Sequence, residues 1–279
     1  MTTKALVLGG GGVTGIAWEI GLLAGLAEAG LDLGDADVLI GTSAGSVVAT
    51  LVATGVPLEA AYASQIAVPT ETSGSFGMAL AARFLWTALW SRTPSAYAKR
   101  LGVLSVAAHT MPEDERRAVV AARLPRHDWP EKRLLVTAVD VVTGELKVFD
   151  RASGVPLVDA VTASCAVPGV FPPITIGGRR YMDGGMVSVT NANLAAGSTH
   201  VVVIAPMPAG LGPVPSAAAH AAELLRSGSK VTVVSPDAAS LAAIGPKRLD
   251  VSRRPMCARA GRAQAASALA AIKAAWLGG

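Results

Sequence analysis

Cysteine, histidine, aromatic and charged residues are all scarce in this chain of 279 residues. Cys165 and Cys257 lie far apart and lack metal-ligand spacing, so neither a disulfide framework nor a cysteine metal site is predicted. Apolar residues make up 51% of the sequence and charged residues 16%. This composition excludes a disordered chain and allows a sizeable core.

The sequence also has no long uncharged apolar run. A bilayer-spanning helix needs about 20 such residues, and the nearest run, 74–90, is interrupted by Arg83. The apolar stretch after Lys4 is broken by four glycines, which is unlike a secretory signal. With two separate cysteines, these features favour a cytoplasmic protein, and peripheral contact with a membrane surface stays open.

Positive charge is in small excess and is unevenly distributed. The formal net charge is +4, and from Lys247 onward seven basic residues accompany a single acid, Asp250. Such a segment suits an anionic membrane surface, nucleic acid or a solvated helix face, and we favour the solvated face. No nucleic-acid partner is expected, and the oligomeric state is left undetermined.

Strand and helix patterns alternate near both ends of the chain but not in its middle. Apolar runs at 5–8 and 38–40 each lead through a glycine-containing turn into a helical pattern, 16–29 and 44–54, which indicates a parallel sheet covered by helices. From 58 to 124 helical patterns dominate. We therefore predict one α/β domain over 1–279, a three-layer α/β/α fold with a mainly parallel central sheet and a helical, cap-like insertion at about 56–132.

Further elements are predicted after the insertion. Two hairpins pair 133–139 with 145–149 through Thr143-Gly144, and 174–176 with 179–182 through Gly177-Gly178. Strands are also expected at 200–205 and 230–234, and helices at 157–166 and 256–276.

The first chemical motif is Gly41-Thr42-Ser43-Ala44-Gly45, which has the pattern G-x-S-x-G. An apolar run precedes it and a helical pattern follows, and this strand–turn–helix context gives the pattern its meaning. The turn places the Ser43 hydroxyl at a helix N-terminus, where free N–H groups and the helix dipole favour developing negative charge. The alternative is a glycine–serine turn without chemistry.

The second motif is a run of glycines at 9–12 that extends to Gly15. It contains G-x-G-x-x-G from Gly10 to Gly15, which fits a dinucleotide phosphate loop, an oxyanion hole built from N–H groups, or a tight packing turn. The dinucleotide interpretation requires an acid at the end of the next strand, whereas Asp37 precedes that strand. This motif alone leaves the three interpretations open.

The third motif is Asp183-Gly184-Gly185, which follows a predicted hairpin. Its two glycines permit a turn that directs a carboxylate. An Asp-Gly turn without chemistry is the common alternative.

Together the three motifs resemble the patatin-like phospholipase family. The proline-containing block at 163–173 and the segment 183–191 match the family as well. The resemblance extends over 4–55 and 133–195, in the family's order, and fades over 58–124 and after 200. It implies a serine esterase that hydrolyses lipid acyl esters through a Ser–Asp dyad without a catalytic histidine.

The resemblance also implies a role for each matching residue. Ser43 attacks the acyl carbonyl, Asp183 accepts its proton and later activates water, and an oxyanion hole holds the developing charge. The oxyanion donors would be the N–H groups of Gly10, Gly11 and Gly12, and the remaining motif residues are Gly15, Gly41, Gly45, Gly184 and Gly185. The substrate is a lipid or another acyl ester, and the walls of its pocket are expected to come from 58–124. No cofactor or metal is expected.

One position departs from the family pattern. The glycine loop usually carries a basic residue just before its last glycine, and here that position is Thr14. A charge that would support the oxyanion or contact a lipid head group is therefore missing from the motif.

Two other functional hypotheses stay open. A Ser-His-Asp triad would combine Ser43 and Asp183 with His200 or His220, although both histidines lie in segments that suit a structural or surface role. The second is a nucleotide- or phosphate-binding module, or a catalytically weak pseudoenzyme, that uses the Gly10–Gly15 loop.

Three further features have both a functional and a structural interpretation. The aromatic segment 76–90 fits a lid or interfacial helix, but a core-facing helix is favoured. Trp276, in the basic C-terminal helix, would touch a membrane or pack on the domain, and packing is favoured. Cys165 is expected to be buried and inert.

Overall fold

The computed structural model of the protein describes residues 2–68 and 76–277. In this part of the chain the strands are β1 (Lys4–Leu8), β2 (Val38–Thr42), β3 (Arg133–Asp140), β4 (Leu146–Phe149), β5 (Ile174–Ile176), β6 (Arg179–Asp183), β7 (His200–Ile204) and β8 (Lys230–Val234). The helices are α1 (Gly12–Glu28), α2 (Ala44–Ala53), α3 (Leu58–Ile66), α4 (Met78–Leu89), α5 (Pro94–Ala107), α6 (Glu113–Ala121), α7 (Leu157–Ser164), α8 (Ala217–Arg226), α9 (Ala238–Ile244) and α10 (Arg254–Leu277).

One mixed sheet contains all eight of these strands. Its order is β5-β6-β3-β2-β1-β7-β8, with β4 also paired to β3. The strands from β3 to β8 along this order pair in parallel, and β4, β5 and β6 pair antiparallel. The predicted mainly parallel sheet and both predicted hairpins are confirmed.

Helices cover both faces of the sheet because its strands are apolar on both sides. In β1, Leu6 and Leu8 belong to the core shared with α1, α2, α7 and α10, whereas Ala5 and Val7 belong to the core shared with α8. Successive side chains of a strand point to opposite faces, so this alternation gives the three layers that the sequence predicted. No helix within the described residues combines the length and apolar character needed to cross a bilayer.

Helix boundaries differ from the sequence prediction at several ends. Helix α1 begins at Gly12 rather than at residue 16, so the last glycines of the loop form its first turn. Glycine has low helix propensity, but the N–H of Thr14 donates to the carbonyl of Arg248 at 3.2 Å and anchors this turn from outside the helix. Helix α7 ends at Ser164 rather than at 166, and α10 begins two residues early, at Arg254.

The predicted insertion at 56–132 is helical in its described part, where it contains α3, α4, α5 and α6. Residues 69–75 of this segment, and with them the first part of the apolar run 74–90, lie outside the described residues. Helix α3 packs on α1 and α10, α6 packs on α7, and α4 packs on α5. These helices are therefore distributed around the domain, and a cap over a substrate stays a prediction.

Candidate active site

Strand β3 brings two distant turns to one point of the sheet. Strand β3 pairs with β4 over 136–139, with β2 at 136–137 and with β6 at 138–139. Two strands that pair with the same residues of β3 lie on its opposite edges. Strands β2 and β6 therefore share the edge opposite β4. Thr42 pairs with Thr137 and Asp183 pairs with Ala138. The two strands thus meet head to head, and the residues at their carboxyl ends become neighbours.

Ser43 occupies a sharp turn between β2 and α2. Its backbone has φ 53° and ψ −119°, a left-handed φ that costs energy for any residue other than glycine. Both flanking glycines are required by close packing. A Cβ on Gly41 would overlap the backbone of Ser46, and a Cβ on Gly45 would overlap the carbonyl of Leu8. The turn therefore points the Ser43 side chain out of the sheet at the N-terminus of α2.

The Ser43 hydroxyl contacts the Asp183 carboxylate directly. Ser43 Oγ donates to Asp183 Oδ2 at 2.6 Å, and the N–H of Gly185 donates to Asp183 Oδ1 at 2.8 Å. The two side chains belong to residues that are only 8% and 2% exposed. Burial raises the pKa of Asp183 to about 6, and hydrogen bonds from Ser43 and Gly185 and the charge of Arg116 limit the rise. A carboxyl group whose pKa lies this near to neutral pH is suited to general acid–base chemistry.

Several polar residues that the motif analysis did not single out hold this arrangement. The N–H of Ser43 donates to Ser164 Oγ at 2.9 Å, which fixes the turn to the end of α7. Asn191, at φ 51°, donates from Nδ2 to the Thr42 hydroxyl at 2.9 Å and to the carbonyl of Ser188 at 3.1 Å. Asn191 thus connects β2 to the loop after Asp183. The sequence signals for these roles were the family-like block 163–173, which contains Ser164, and the family-like segment 183–191, which contains Asn191.

The glycine loop lies beside Ser43, and its N–H groups are not equivalent. The N–H of Gly9 donates to the carbonyl of Ile204 at 2.9 Å and that of Gly10 to the carbonyl of Val189 at 2.8 Å. Among the backbone hydrogen bonds of the described residues, none uses the N–H of Gly11 or Gly12. A Cβ built on Gly10 would lie 3.6 Å from Ser43 Cβ. The structure therefore differs from the expectation for Gly10, because its N–H already has an acceptor.

Thr14 and Arg248 together connect the glycine loop to the segment before α10. Thr14 is fully buried, and its hydroxyl reaches the carbonyl of Arg248 at 3.2 Å. The Arg248 guanidinium donates to the carbonyl of Pro206 at 3.3 Å, and Pro206 borders the loop at Gly11. Although the motif lacks a basic residue at position 14, the fold thus places a cation from a distant segment near the loop. Sequence analysis had no signal for this contact.

A second cation lies near the carboxylate. Arg116, on α6, is 3% exposed, and its guanidinium carbon lies 3.6 Å from the ring centroid of Phe171. Its charge lowers the pKa of Asp183, and that of Cys165 too. Cys165 itself is buried, its thiol donates to the carbonyl of Ser43 at 3.2 Å, and burial raises the pKa of the thiol to about 11. Cys165 is thus a packing residue beneath the turn.

The four histidines have contacts or positions other than at Ser43 and Asp183. His200, at the start of β7, makes a 2.6 Å contact from Nδ1 to the carbonyl of Ala275. His220, on α8, contacts Ser188 Oγ at 3.4 Å, and burial lowers its pKa. His127 contacts the carbonyl of Ala121, and His109 is exposed. The Asp183 oxygen nearest Ser43 is bonded to the serine hydroxyl itself, so the triad hypothesis gains no support.

The arrangement offers little to a nucleotide or a metal. Asp37 accepts the N–H of Lys4 at 2.7 Å, at the end of β1 and β2 opposite the glycine loop, so it cannot bind a ribose held by that loop. Within the described residues, no group of three or more His, Cys, Asp or Glu side chains is placed to hold a metal ion.

A groove of about 700 Å³ has mostly apolar lining residues. They include Val13, which follows Gly12 in the sequence, and Val47, one helical turn after Ser43. Further walls come from α2, α3 and the segment after α6, and Arg123 and Arg254 also line it. Part of its lining comes from 58–124. That this segment forms the walls of a substrate pocket stays a prediction.

One family model and several solved structures are similar to this chain. A family model described as "Patatin-like phospholipase" matches residues 6–196. Among solved structures, VipD from Legionella pneumophila is similar at 16% identity and a TM-score of 0.38, over 66% of this chain and 46% of that one. The type III effector protein ExoU is similar at 15% identity and a TM-score of 0.38, over 95% of this chain and 53% of that one.

This chain thus spans about half the length of these two solved structures. A search among curated proteins found no match.

Proposed function

The chain belongs to the patatin-like phospholipase family, and we propose that it is a serine acyl hydrolase that cleaves lipid esters through Ser43 and Asp183. One observation carries this proposal: the buried 2.6 Å hydrogen bond from Ser43 Oγ to Asp183 Oδ2, on a strained turn at a helix N-terminus. A hydroxyl in contact with a carboxylate of raised pKa has the base that it needs to become a nucleophile.

In the first half-reaction Ser43 Oγ attacks the acyl carbonyl and its proton passes to Asp183 Oδ2. The tetrahedral oxyanion then accepts hydrogen bonds from the N–H groups of Gly11 and Gly12, each worth about 3 kcal/mol of barrier. We assign the hole to these two glycines because Gly10 donates to Val189. When the intermediate collapses, the leaving alcohol takes the proton from Asp183 and the acyl group stays on Ser43.

In the second half-reaction water replaces the alcohol. Asp183 accepts a proton from the water, the hydroxide attacks the acyl-enzyme, and the same two N–H groups hold the second oxyanion. Collapse releases the free acid and returns the proton to Ser43. The mostly apolar groove that Val13 and Val47 help to line would bind the acyl chain, which favours a lipid over a short polar ester.

A fluorophosphonate probe tests the proposal, because it labels only an activated serine. We expect labelling of the full chain at Ser43 that disappears in Ser43→Ala, with peptide mapping to identify the modified residue. The exposed Ser252 provides a control, and Ser252→Ala should label like the wild type. Folded protein that fails to react would overturn the hydrolase and favour a binding module or an inactive relative.

A further inference from the structure

Helix α4 is apolar on two opposite sides, and only one side is covered within the described residues. Phe84 and Ala88 are buried, and they share a core with α5 and with Val189 and Val214. The other side, the outer face of α4, carries large apolar side chains at spacings i, i+7, i+8 and i+11. These side chains are 52–90% exposed: Met78, Leu85, Trp86 and Leu89. A helix that is apolar all round is normally buried, and exposed apolar side chains grouped on one face mark an interaction site.

The covered side of α4 lies against the loops that flank Asp183. A Cβ on Gly169 would lie 2.7 Å from Leu80 Cδ1, so α4 touches the segment between α7 and β5. Met186, three residues after Asp183, packs in the same core as Phe84. A helix is about 10 Å across. Whatever binds the outer face of α4 is therefore held close to the proposed catalytic pair.

The charges of this region favour an anionic partner. Residues 76–107 contain no acid and four basic residues, all exposed: Arg83, Arg92, Lys99 and Arg100. The Arg100 guanidinium donates to the carbonyl of Trp90, which places a cation at the end of the apolar face. A second copy of this chain would bring two such sets of like charges together. An anionic lipid surface attracts them instead.

The aromatic residues of the face agree with a lipid partner. Trp86 and Trp90 contact each other with ring centroids 5.6 Å apart, and Trp90 is 62% exposed. Tryptophan favours the boundary between acyl chains and head groups, because its ring is apolar while its N–H can bind polar groups. An apolar helix face with tryptophans and neighbouring cations is typical of helices that lie in this boundary.

We propose that the outer face of α4, together with the four basic residues of 76–107, docks this protein onto an anionic lipid bilayer. The inference rests on the proposed function, since it supplies the site with substrate from the same surface. The C-terminal basic segment is a separate candidate, and Trp276 does not support it: its side chain is 1% exposed and its Nε1 donates to Asp35 at 2.8 Å.

Vesicle co-sedimentation tests the proposal. The full chain is used as Ser43→Ala, so that lipid hydrolysis cannot change the vesicles and binding is measured apart from catalysis. We expect binding to vesicles of equal parts phosphatidylglycerol and phosphatidylcholine, and much weaker binding to phosphatidylcholine alone. In this background Leu85→Ser/Trp86→Ser/Leu89→Ser should lower the affinity by about tenfold or more, because the buried apolar area is lost.

The matched control changes three apolar residues that are exposed to a similar degree elsewhere. Leu225, Leu241 and Met256 are 54%, 50% and 47% exposed, and Leu225→Ser/Leu241→Ser/Met256→Ser should bind like the parent. For charge, Arg83→Gln/Arg92→Gln should weaken anionic binding, and Lys247→Gln/Arg259→Gln should not. Circular dichroism verifies that each variant is folded.

Three results would overturn the proposal. The first is an equal loss of vesicle affinity in the α4 triple variant and its control, and the second is equal binding to neutral and anionic vesicles. The third is a parent protein that binds no vesicles but is a dimer in light scattering, and that the α4 triple variant converts to a monomer. Because this assay uses Ser43→Ala, its failure is distinct from a failure of probe labelling. If the probe labels Ser43 but the protein does not bind vesicles, the hydrolase proposal is retained. If the protein binds vesicles but is not labelled, the docking proposal is retained.

Discussion

The hydroxyl of Ser43 and the carboxylate of Asp183 are 2.6 Å apart although 140 positions separate the two residues in the sequence. The contact exists because β2 and β6 end against consecutive residues, Thr137 and Ala138, of one edge of β3. The ends of two sheet strands thus hold the two groups together, and the proposed mechanism needs no rearrangement to bring them into contact.

Replacing the carboxylate tests its role as base. Asp183→Asn keeps the size of the side chain and removes its ability to accept the proton. We expect kcat for p-nitrophenyl butyrate to fall by about 10²- to 10⁴-fold, the contribution of a positioned base. His200→Ala and His220→Ala should retain most of the wild-type rate. Full activity in Asp183→Asn would exclude the dyad, and loss in a folded histidine variant would revive the triad.

The pH profile should report the environment of Asp183. The mechanism requires the ionised carboxylate, and burial raises its pKa to about 6. The kcat/KM for a soluble ester should therefore increase with pH, reach half its plateau near pH 6 and stay level above pH 7. A half-point near pH 4, the range of an exposed aspartate, would contradict a buried base.

Arg116 offers a way to move that half-point. Its positive charge favours the ionised form of Asp183, so Arg116→Gln should raise the pKa and shift the acid side of the profile to higher pH. The exposed Arg126 is the matched control, and Arg126→Gln should leave the profile unchanged. An unshifted profile in folded Arg116→Gln would mean that this charge does not act on the carboxylate.

Replacement by alanine should have different effects at Gly10, Gly11 and Gly12 of the glycine loop. A Cβ on Gly10 would have no neighbour closer than 3.6 Å, whereas one on Gly11 would lie 2.6 Å from Pro206 Cβ. On Gly12, at φ 65°, it would lie 2.6 Å from the carbonyl oxygen of Arg248. We therefore expect Gly10→Ala to keep most of its activity.

Gly11→Ala and Gly12→Ala should instead displace the two oxyanion donors and lower kcat by about 10²- to 10³-fold. Steady-state kinetics with thermal unfolding separates this effect from misfolding. Equal losses in all three variants would contradict the assignment of donors.

Glu19 predicts a pH dependence of stability. It is fully buried in α1, and neither carboxylate oxygen has a hydrogen-bond partner among the described residues. Burial raises its pKa well above the ordinary value, and the nearby N–H of Gly9 only partly opposes the rise. The folded state therefore keeps the proton that the unfolded state releases above about pH 4.5. Stability should decline as the pH rises from there toward the folded-state pKa.

Glu19→Gln has nearly the same size and cannot ionise. It should gain stability relative to the wild type as the pH increases from 5 to 8, measured by urea unfolding at both values. Glu115→Gln, at an exposed position on α6, is the control and should follow the wild type. A gain that is the same at both pH values would show that Glu19 does not carry this dependence.

Much of the fold could be predicted because its signals are local. The alternation of strand, glycine turn and helix identified the parallel sheet, and the Gly-containing turns identified both hairpins. The start of α1 at Gly12 was missed, because that turn is held by Arg248 rather than by its own propensity. For 76–90 the sequence left an interfacial and a core-facing helix open and favoured the latter, which describes only one side of α4. Periodicity marks apolar positions but does not say which of them a neighbour covers.

By itself, the sequence determined the family and the two residues proposed for catalysis, because each motif is short, contiguous and specific in combination. Tertiary structure alone decided how those motifs are arranged. It placed the Asp183 carboxylate beside the Ser43 hydroxyl through β3 and paired the Gly10 N–H with the Val189 carbonyl. It also brought Arg116 and Arg248 near the site from segments that are distant in the sequence. Hydrogen bonds and burial depend on which segments meet in space, and no local pattern contains that information.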